Sequence, residues 1–295
     1  MKAGVIDVGS NTVRLLVARQ LGNGDLQTVA AERARVGLGE QIERFGMVSE
    51  HKLRETADWV STYARAARRE GCDVIDLVVT APGRQSLNAN RLVAMLEHAA
   101  ALPVRVLPVE EEGRLAYVGA LRGVDSAEHV ATGVCDVGGG STEIAVGLGL
   151  DPDWLRSYDI GSLRLTCSHF DKATGRRDIR RARSHVRSVL AGAEQPEVER
   201  ALAAGGAARA VRKLVGRTLG SAELDEALDL VARTSPAKLA KRYEIDPVRA
   251  QTLAAGTVIL AEVQALFQVP LVVARGGLRE GLAGELLSPV VSSAA

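Results

Sequence analysis

Short apolar stretches separated by polar turns open the chain. Val5, Ile6 and Val8 are followed, after a polar turn at 9–12, by Val13, Leu15, Leu16 and Val17, the pattern of two strands joined by a turn. A turn cluster at 21–25 and a run over 26–36 add a third strand, so the start of the chain predicts an antiparallel meander. Residues 37–40 read as a flexible link. Over 49–70 the period lengthens to that of a helix, with Leu53, Ala57, Val60, Ala64 and Ala67 on one face and Gly71 as its stop. A nearly all-apolar run at 74–80 predicts a buried parallel strand. A helix over 87–99, a strand over 103–107 and a helix opening at Glu110 follow. The polar stretch 123–129 is the expected boundary between a first domain, 1–124, and a second, 125–295.

The second half repeats the grammar of the first. Val130, Ala131 and Val134 lead into Cys135-Asp136-Val137-Gly138-Gly139-Gly140-Ser141-Thr142-Glu143, and Ile144, Val146 and Leu148 lead out. Strands are expected at 155–160, 201–204 and 271–274, with helices from 161, over 175–187, to about 216 and on to Pro270. Among these, Asp246-Pro247 starts one long helix, and a last helix at about 281–290 is expected to pack back on the first domain.

Composition narrows the classes. With 295 residues and 46% hydrophobic content there is material for two cores, but at 3% aromatic they must be built from Val, Leu, Ile and Ala. Lys and Arg (37) balance Asp and Glu (36), which gives no reason to expect nucleic acid or a membrane surface. Three widely spaced cysteines without a Cys-x-x-Cys pair argue for a reducing compartment and against structural zinc. No basic-then-apolar leader precedes the first strand, and no apolar run approaches the roughly 18 residues of a membrane helix. The expectation is a cytoplasmic protein.

The chemistry gathers at the two turns. Three successive glycines (Gly138, Gly139, Gly140) remove every Cβ, so backbone N–H groups of the turn, through Ser141, can converge on an anion. Asp136 enters that turn and Glu143 leaves it, a setting suited to a phosphate with Mg²⁺; a tight hairpin with solvated acids is the plainer alternative. Asp7-Val8-Gly9-Ser10-Asn11-Thr12 has the same form, and the aspartates lie 129 positions apart (136 minus 7). Two related halves follow. Arg14 shares a face with Thr12 and either touches phosphate or stays solvated.

Two strand-turn-strand phosphate loops, one per half, resemble those of the actin, Hsp70 and sugar-kinase superfold. Asp-Val-Gly-Ser-Asn-Thr followed by Asp-Val-Gly-Gly-Gly-Ser-Thr-Glu is similar to the exopolyphosphatase and guanosine pentaphosphate phosphohydrolase (Ppx/GppA) family, in its short two-domain form. The resemblance implies an α/β fold of two actin-like, ribonuclease H-like domains with the active site in the cleft between them. It extends to Thr80-Ala81-Pro82-Gly83-Arg84, where the family's arginine binds the phosphate chain, and to Glu110-Glu111-Glu112-Gly113-Arg114, where the catalytic glutamate falls on Glu112. Those three acids equally suit the positive end of a helix. It continues through Gly161-Ser162-Leu163-Arg164-Leu165-Thr166, a helix start that could bind an anion or simply be capped by Ser162, and through Gly205-Gly206 and Gly276-Gly277-Leu278-Arg279-Glu280-Gly281. In the glycine pair the family's hydroxyl is replaced by Ala207 and Ala208, leaving Arg209 or Lys213 to compensate.

By this resemblance Glu112 is a general base assisted by Glu143, and Asp7, Asp136 and Glu143 hold Mg²⁺ (or Mn²⁺). Gly9, Ser10, Asn11, Thr12, Arg14, Arg84, Gly138, Gly139, Gly140, Ser141, Arg164, Gly205, Gly206 and Arg279 bind substrate. The implied substrate is inorganic polyphosphate, with guanosine pentaphosphate (pppGpp) as the alternative; a homodimer is compatible with it. An actin-like nucleotide switch and a sugar kinase are the rivals from other classes. The arginine-rich segment 175–187 is either a solvated helix face or a guide for a polyanion.

Overall fold

A computed structural model describes all residues except 23, 123, 125–128, 171–173, 193, 195 and 289–295, so most of the expected linker at 123–129 and the end of the chain lie outside the described residues. The first sheet contains β1 (Lys2–Val8), β2 (Thr12–Gln20), β3 (Leu26–Arg35), β4 (Val74–Val79) and β5 (Val104–Val106), in the order β3-β2-β1-β4-β5. Its helices are α1 (Leu38–Phe45), α2 (Glu50–Arg69), α3 (Ala81–Gln85), α4 (Ala89–Ala100) and α5 (Val109–Leu121). The second sheet contains β6 (Thr132–Val137), β7 (Thr142–Gly147), β8 (Trp154–Tyr158), β9 (Arg200–Ala204), β10 (Thr218–Leu219) and β11 (Leu271–Val273). Its order, β8-β7-β6-β9-β11 with β10 on the edge, repeats that of the first sheet. The associated helices are α6 (Ser162–His169), α7 (Arg176–Leu190), α8 (Gly205–Val215), α9 (Ser221–Arg233), α10 (Pro236–Arg242), α11 (Pro247–Gln251), α12 (Leu253–Phe267) and α13 (Leu278–Leu287). These are two actin-like α/β halves, as the repeated loops predict.

Both faces of each sheet are covered, which is why the central strands are almost wholly apolar. On β1, Ile6 and Val8 face α2 and α4 with Leu53, Val60, Leu92 and Leu96. Ala3 and Val5 face the other way, onto Leu115 of α5 and Leu282, Ala283 and Leu287 of α13. On its opposite side α5 sets Tyr117, Ala120 and Leu121 against Val134, Ala145 and Leu202 of the second sheet. The pair α5 and α13 is therefore a shared middle layer. The two helices approach so closely that a Cβ on Gly119 would strike the Gly277 carbonyl, and one on Gly281 the Leu115 carbonyl.

Two local expectations change. Residues 37–40 are not a loose link: Gly37 takes a left-handed φ of 67° and α1 starts at once, with Leu38 and Ile42 buried and Gly39 N–H bonded to the Ser10 carbonyl. The long helix from Asp246 is two helices broken at Thr252, the C-cap of α11 and N-cap of α12. Among the described residues no helix is long and apolar enough to cross a membrane, and all three cysteines are free.

Candidate active site

Each sheet carries the same turn in the same place. Between β1 and β2 the Gly9 N–H donates to the Thr12 carbonyl at 3.0 Å; between β6 and β7 the Gly138 N–H donates to the Ser141 carbonyl at 3.0 Å. The flanking pairs correspond as well, Asp7 opposite Arg14 and Asp136 opposite Glu143. Directly opposed residues on an antiparallel ladder share a face, so each aspartate and its partner point together into the cleft.

The loops meet across that cleft. A Cβ on Gly139 would lie 3.1 Å from Ser10 Cβ, and one on Gly140 would lie 3.2 Å from Ser10 Oγ. The glycines of the second loop thus make room for the serine of the first. The start of α6 is engaged from behind: the N–H of Ser162 donates to the Gly138 carbonyl, and those of Leu163 and Arg164 donate to the Gly139 carbonyl, at 2.9–3.1 Å. Those donors hold the loop rather than a ligand, and Ser162 is not the cap either: the N-cap is Gly161, and the Ser162 Oγ donates to the Gly138 carbonyl at 3.0 Å. With the carbonyls of Gly138 and Gly139 tied down, the N–H groups of residues 139–141 are the ones left to a ligand.

A cavity of about 110 Å³ between the loops is lined by Asp7, Gly9, Ser10, Asn11, Thr12, Arg14, Glu112, Asp136, the loop 138–141, Glu143, Gly205, Gly206 and Arg279. The sequence-predicted residues on the two loops, the glycine pair and both helix starts therefore share one site. Two further arginines line it, Arg209 of α8 and Arg249 of α11. A Cβ on Gly206 would strike the Arg249 guanidinium, so the glycine pair creates the space that this arginine fills. Sequence reasoning raised Arg209 only as a substitute for a missing hydroxyl and did not single out Arg249. The available signal was a side-chain-free Gly-Gly turn together with an arginine in the first turn of an Asp-Pro-capped helix.

Two predicted ligands stand elsewhere. Arg84 is absent from this lining: its Nη1 donates to the Leu107 carbonyl at 2.7 Å and its Nη2 lies 2.8 Å from Glu112 Oε2. Arg164 turns away to Glu43 (2.7 Å) and Asp159 (3.0 Å), because its helix start is already committed to the loop. Part of the basic face of α7 is paired inside its own half: Arg183 and Arg187 both pair with the buried Glu262 at 2.5 Å, Arg176 pairs with Asp229 and Arg181 with Asp178, while Arg177 and Arg180 are exposed. None of its arginines lines the cavity.

The charges inside are strongly perturbed. Burial raises the Asp7 pKa against the pull of Arg14 and Arg279, and raises that of Asp136 against the pull of Arg209 and Arg14. Glu143 is pushed up to about 7 by burial and then by Asp136, despite a 2.8 Å hydrogen bond from Ser157 Oγ. Glu112 is raised well above the usual carboxylate range by burial and then by Glu143, with Arg84 opposing. Burial, then Arg279, lowers Arg14 to about 10, and burial also lowers Arg209 and Arg249. Arg209, Arg249 and Arg279 have no carboxylate within ion-pair distance among the described residues. A second cavity of about 470 Å³ adjoins the first and shares Arg14, Arg209, Arg249 and Arg279, adding Arg33 and Lys213.

Asp7, Asp136 and Glu143 offer only carboxylate oxygens, the donors that hard divalent cations take. Among the described residues no three His, Cys, Asp or Glu side chains gather closely enough to hold a metal ion together, so at most one or two of these carboxylates could bind one ion directly.

Comparison with known proteins agrees with this geometry. The Ppx/GppA phosphatase family matches residues 16–289. Exopolyphosphatase 1 of Mycobacterium tuberculosis is 26% identical over 96% of this chain and 87% of its own length. A guanosine-5'-triphosphate,3'-diphosphate pyrophosphatase of Photobacterium profundum is 25% identical over 96% of this chain, which spans 59% of that longer protein. The solved Aquifex aeolicus PPX-GPPA enzyme superimposes with a TM-score of 0.82 at 25% identity, over 97% of this chain and 99% of that one.

Proposed function

Since this chain belongs to the Ppx/GppA phosphatase family, hydrolases of phosphoanhydride bonds, we propose that it is an exopolyphosphatase that releases orthophosphate from the end of inorganic polyphosphate. The observation that carries this reading is the set of four half-buried arginines, Arg14, Arg209, Arg249 and Arg279, shared by two adjoining cavities. Such cations repel one another and are costly to desolvate without an anion. A chain with about one negative charge per phosphate supplies that anion along the whole path. Among the described residues no aromatic side chain lines either cavity to stack on a guanine base.

In this reading the terminal phosphate sits between the two loops, held by the N–H groups of residues 10–11 and 139–141 and by the arginines. Catalysis of phosphoryl transfer is mostly positioning and charge neutralisation. Glu112 orients a water and takes its proton as the water oxygen bonds to phosphorus. The bridging oxygen leaves with the shortened chain. Burial and Glu143 raise the Glu112 pKa, and Arg84 opposes that rise. Asp7, Asp136 and Glu143 would hold Mg²⁺ or Mn²⁺ through one or two carboxylates and water; the ion would offset charge on the phosphates.

One panel tests the proposal: short polyphosphate, long polyphosphate, pppGpp and ATP, each with Mg²⁺, scored by orthophosphate release. Release from polyphosphate at least about tenfold faster than from pppGpp is the expected outcome. The reverse order makes the chain a pppGpp phosphohydrolase, the activity named for its Photobacterium relative.

A further inference from the structure

We infer that Arg84 is a positioning residue that fixes Glu112, not a ligand of the phosphate chain. The inference rests on Glu112 as the base. Arg84 sits in the one-turn helix α3, which is pressed onto the first sheet. A Cβ on Gly83 would lie 2.9 Å from Val106 Cγ1 and 3.1 Å from Val79 Cγ1, so the neighbouring backbone is fixed at van der Waals contact. The acceptor below the guanidinium is equally fixed, because Leu107 N–H is bonded to the Val79 carbonyl at 2.9 Å. The guanidinium donates to that carbonyl at 2.7 Å and lies 2.8 Å from Glu112 Oε2, an ion pair outside hydrogen-bond geometry that leaves this buried oxygen without a hydrogen-bond donor. Its side chain is 19% exposed and that of Glu112 is 13%, leaving little freedom for either to swing.

The pair has an electrostatic purpose. Glu112 shares its cavity with Glu143 and Asp136, two acids that repel it. Among the described residues Arg84 is the cation within ion-pair distance of it. A planar fork can hold a carbonyl and a carboxylate at once, whereas an ammonium on a flexible stem holds one point. Without the fork, the carboxylate would turn away from its acidic neighbours and lose its aim at the water.

Three variants test this with tripolyphosphate as substrate: Arg84→Met, Arg84→Lys and Glu112→Gln. If Arg84 acts through Glu112, Arg84→Met lowers kcat at least about tenfold and leaves KM within about threefold. Arg84→Lys, which keeps the charge and the fold, recovers only part of that loss. In the Glu112→Gln background, Arg84→Met leaves the calorimetric Kd for tripolyphosphate within about twofold of Glu112→Gln alone. A tenfold or greater rise in KM or Kd with kcat retained would overturn the inference and make Arg84 a phosphate ligand, and Arg84→Lys carries that comparison if the methionine variant does not fold. Failure of the underlying reading looks different: Glu112→Gln itself would turn over like the parent. An inactive Glu112→Gln beside a fully active Arg84→Met sinks the Arg84 inference alone.

Discussion

The two cleft loops are built to one pattern and finished to opposite ends. Each has an aspartate at its entry, the same glycine N–H to carbonyl bond at 3.0 Å, and a cross-strand partner beside the aspartate. In the first half that partner is Arg14; in the second it is Glu143. One duplicated hairpin thus presents a cation to the cavity and the other a second acid. The loops also divide the space between them, with Ser10 in the room that Gly139 and Gly140 leave. Equivalent positions in a repeat need not keep equivalent charge: the first loop sets a cation beside its aspartate, the second a further acid.

Three measurements sharpen or break that contrast. The largest effect is expected from Glu143→Gln, which keeps the shape of the second loop and removes its charge. Its kcat on tripolyphosphate should fall about 100-fold with little change in KM; a change confined to KM would make Glu143 a binding residue and dissolve the asymmetry. Next, Arg14→Ala should raise KM about tenfold with a smaller effect on kcat, the loss of one charged phosphate contact. A kcat loss as large as that of Glu143→Gln would mean that both loops serve the chemistry.

The third effect is on stability. Glu143 has an ordinary carboxyl pKa in the unfolded chain and one raised to about 7 when folded. The folded state therefore holds the proton more tightly, and the stabilisation is complete below the unfolded pKa and lost as pH rises through the folded one. Without divalent metal, the urea midpoint of the parent should fall between about pH 4.5 and 7. Glu143→Gln should flatten that fall by up to about 3 kcal/mol; parallel pH profiles would contradict the charge assigned to this position.

How much of this was legible in the sequence follows from how local each signal is. Turn glycines and the acids beside them sit within a few residues of one another, so both loops, and Asp7, Asp136 and Glu143 with them, could be read directly. Glu112 needed the family resemblance, since three acids at a helix start also suit the dipole. Arg209 and Arg249 come from helices about 40 residues apart and meet only because the second half folds. Arg84 was in register but its direction was not readable, being set by a carbonyl 23 positions away. The arginines of α7 looked available for a polyanion because nothing near them announced Glu262, 75 positions beyond Arg187. The short α1 escaped notice because so little of it is apolar; its burial depends on the first loop it closes.

The crossing of α5 and α13 carries one more consequence. Where Gly119 meets Gly277 and Gly281 there is only main chain on both sides, so no rotamer can give way. Two turns before Gly119, the same rod bears Glu112; the other bears Arg279 in its opening turn. The gauge between acid and guanidinium is therefore set by peptide planes in contact. A lone methyl inserted at that joint would act as a shim, prying Glu112 away from Arg279 without touching either.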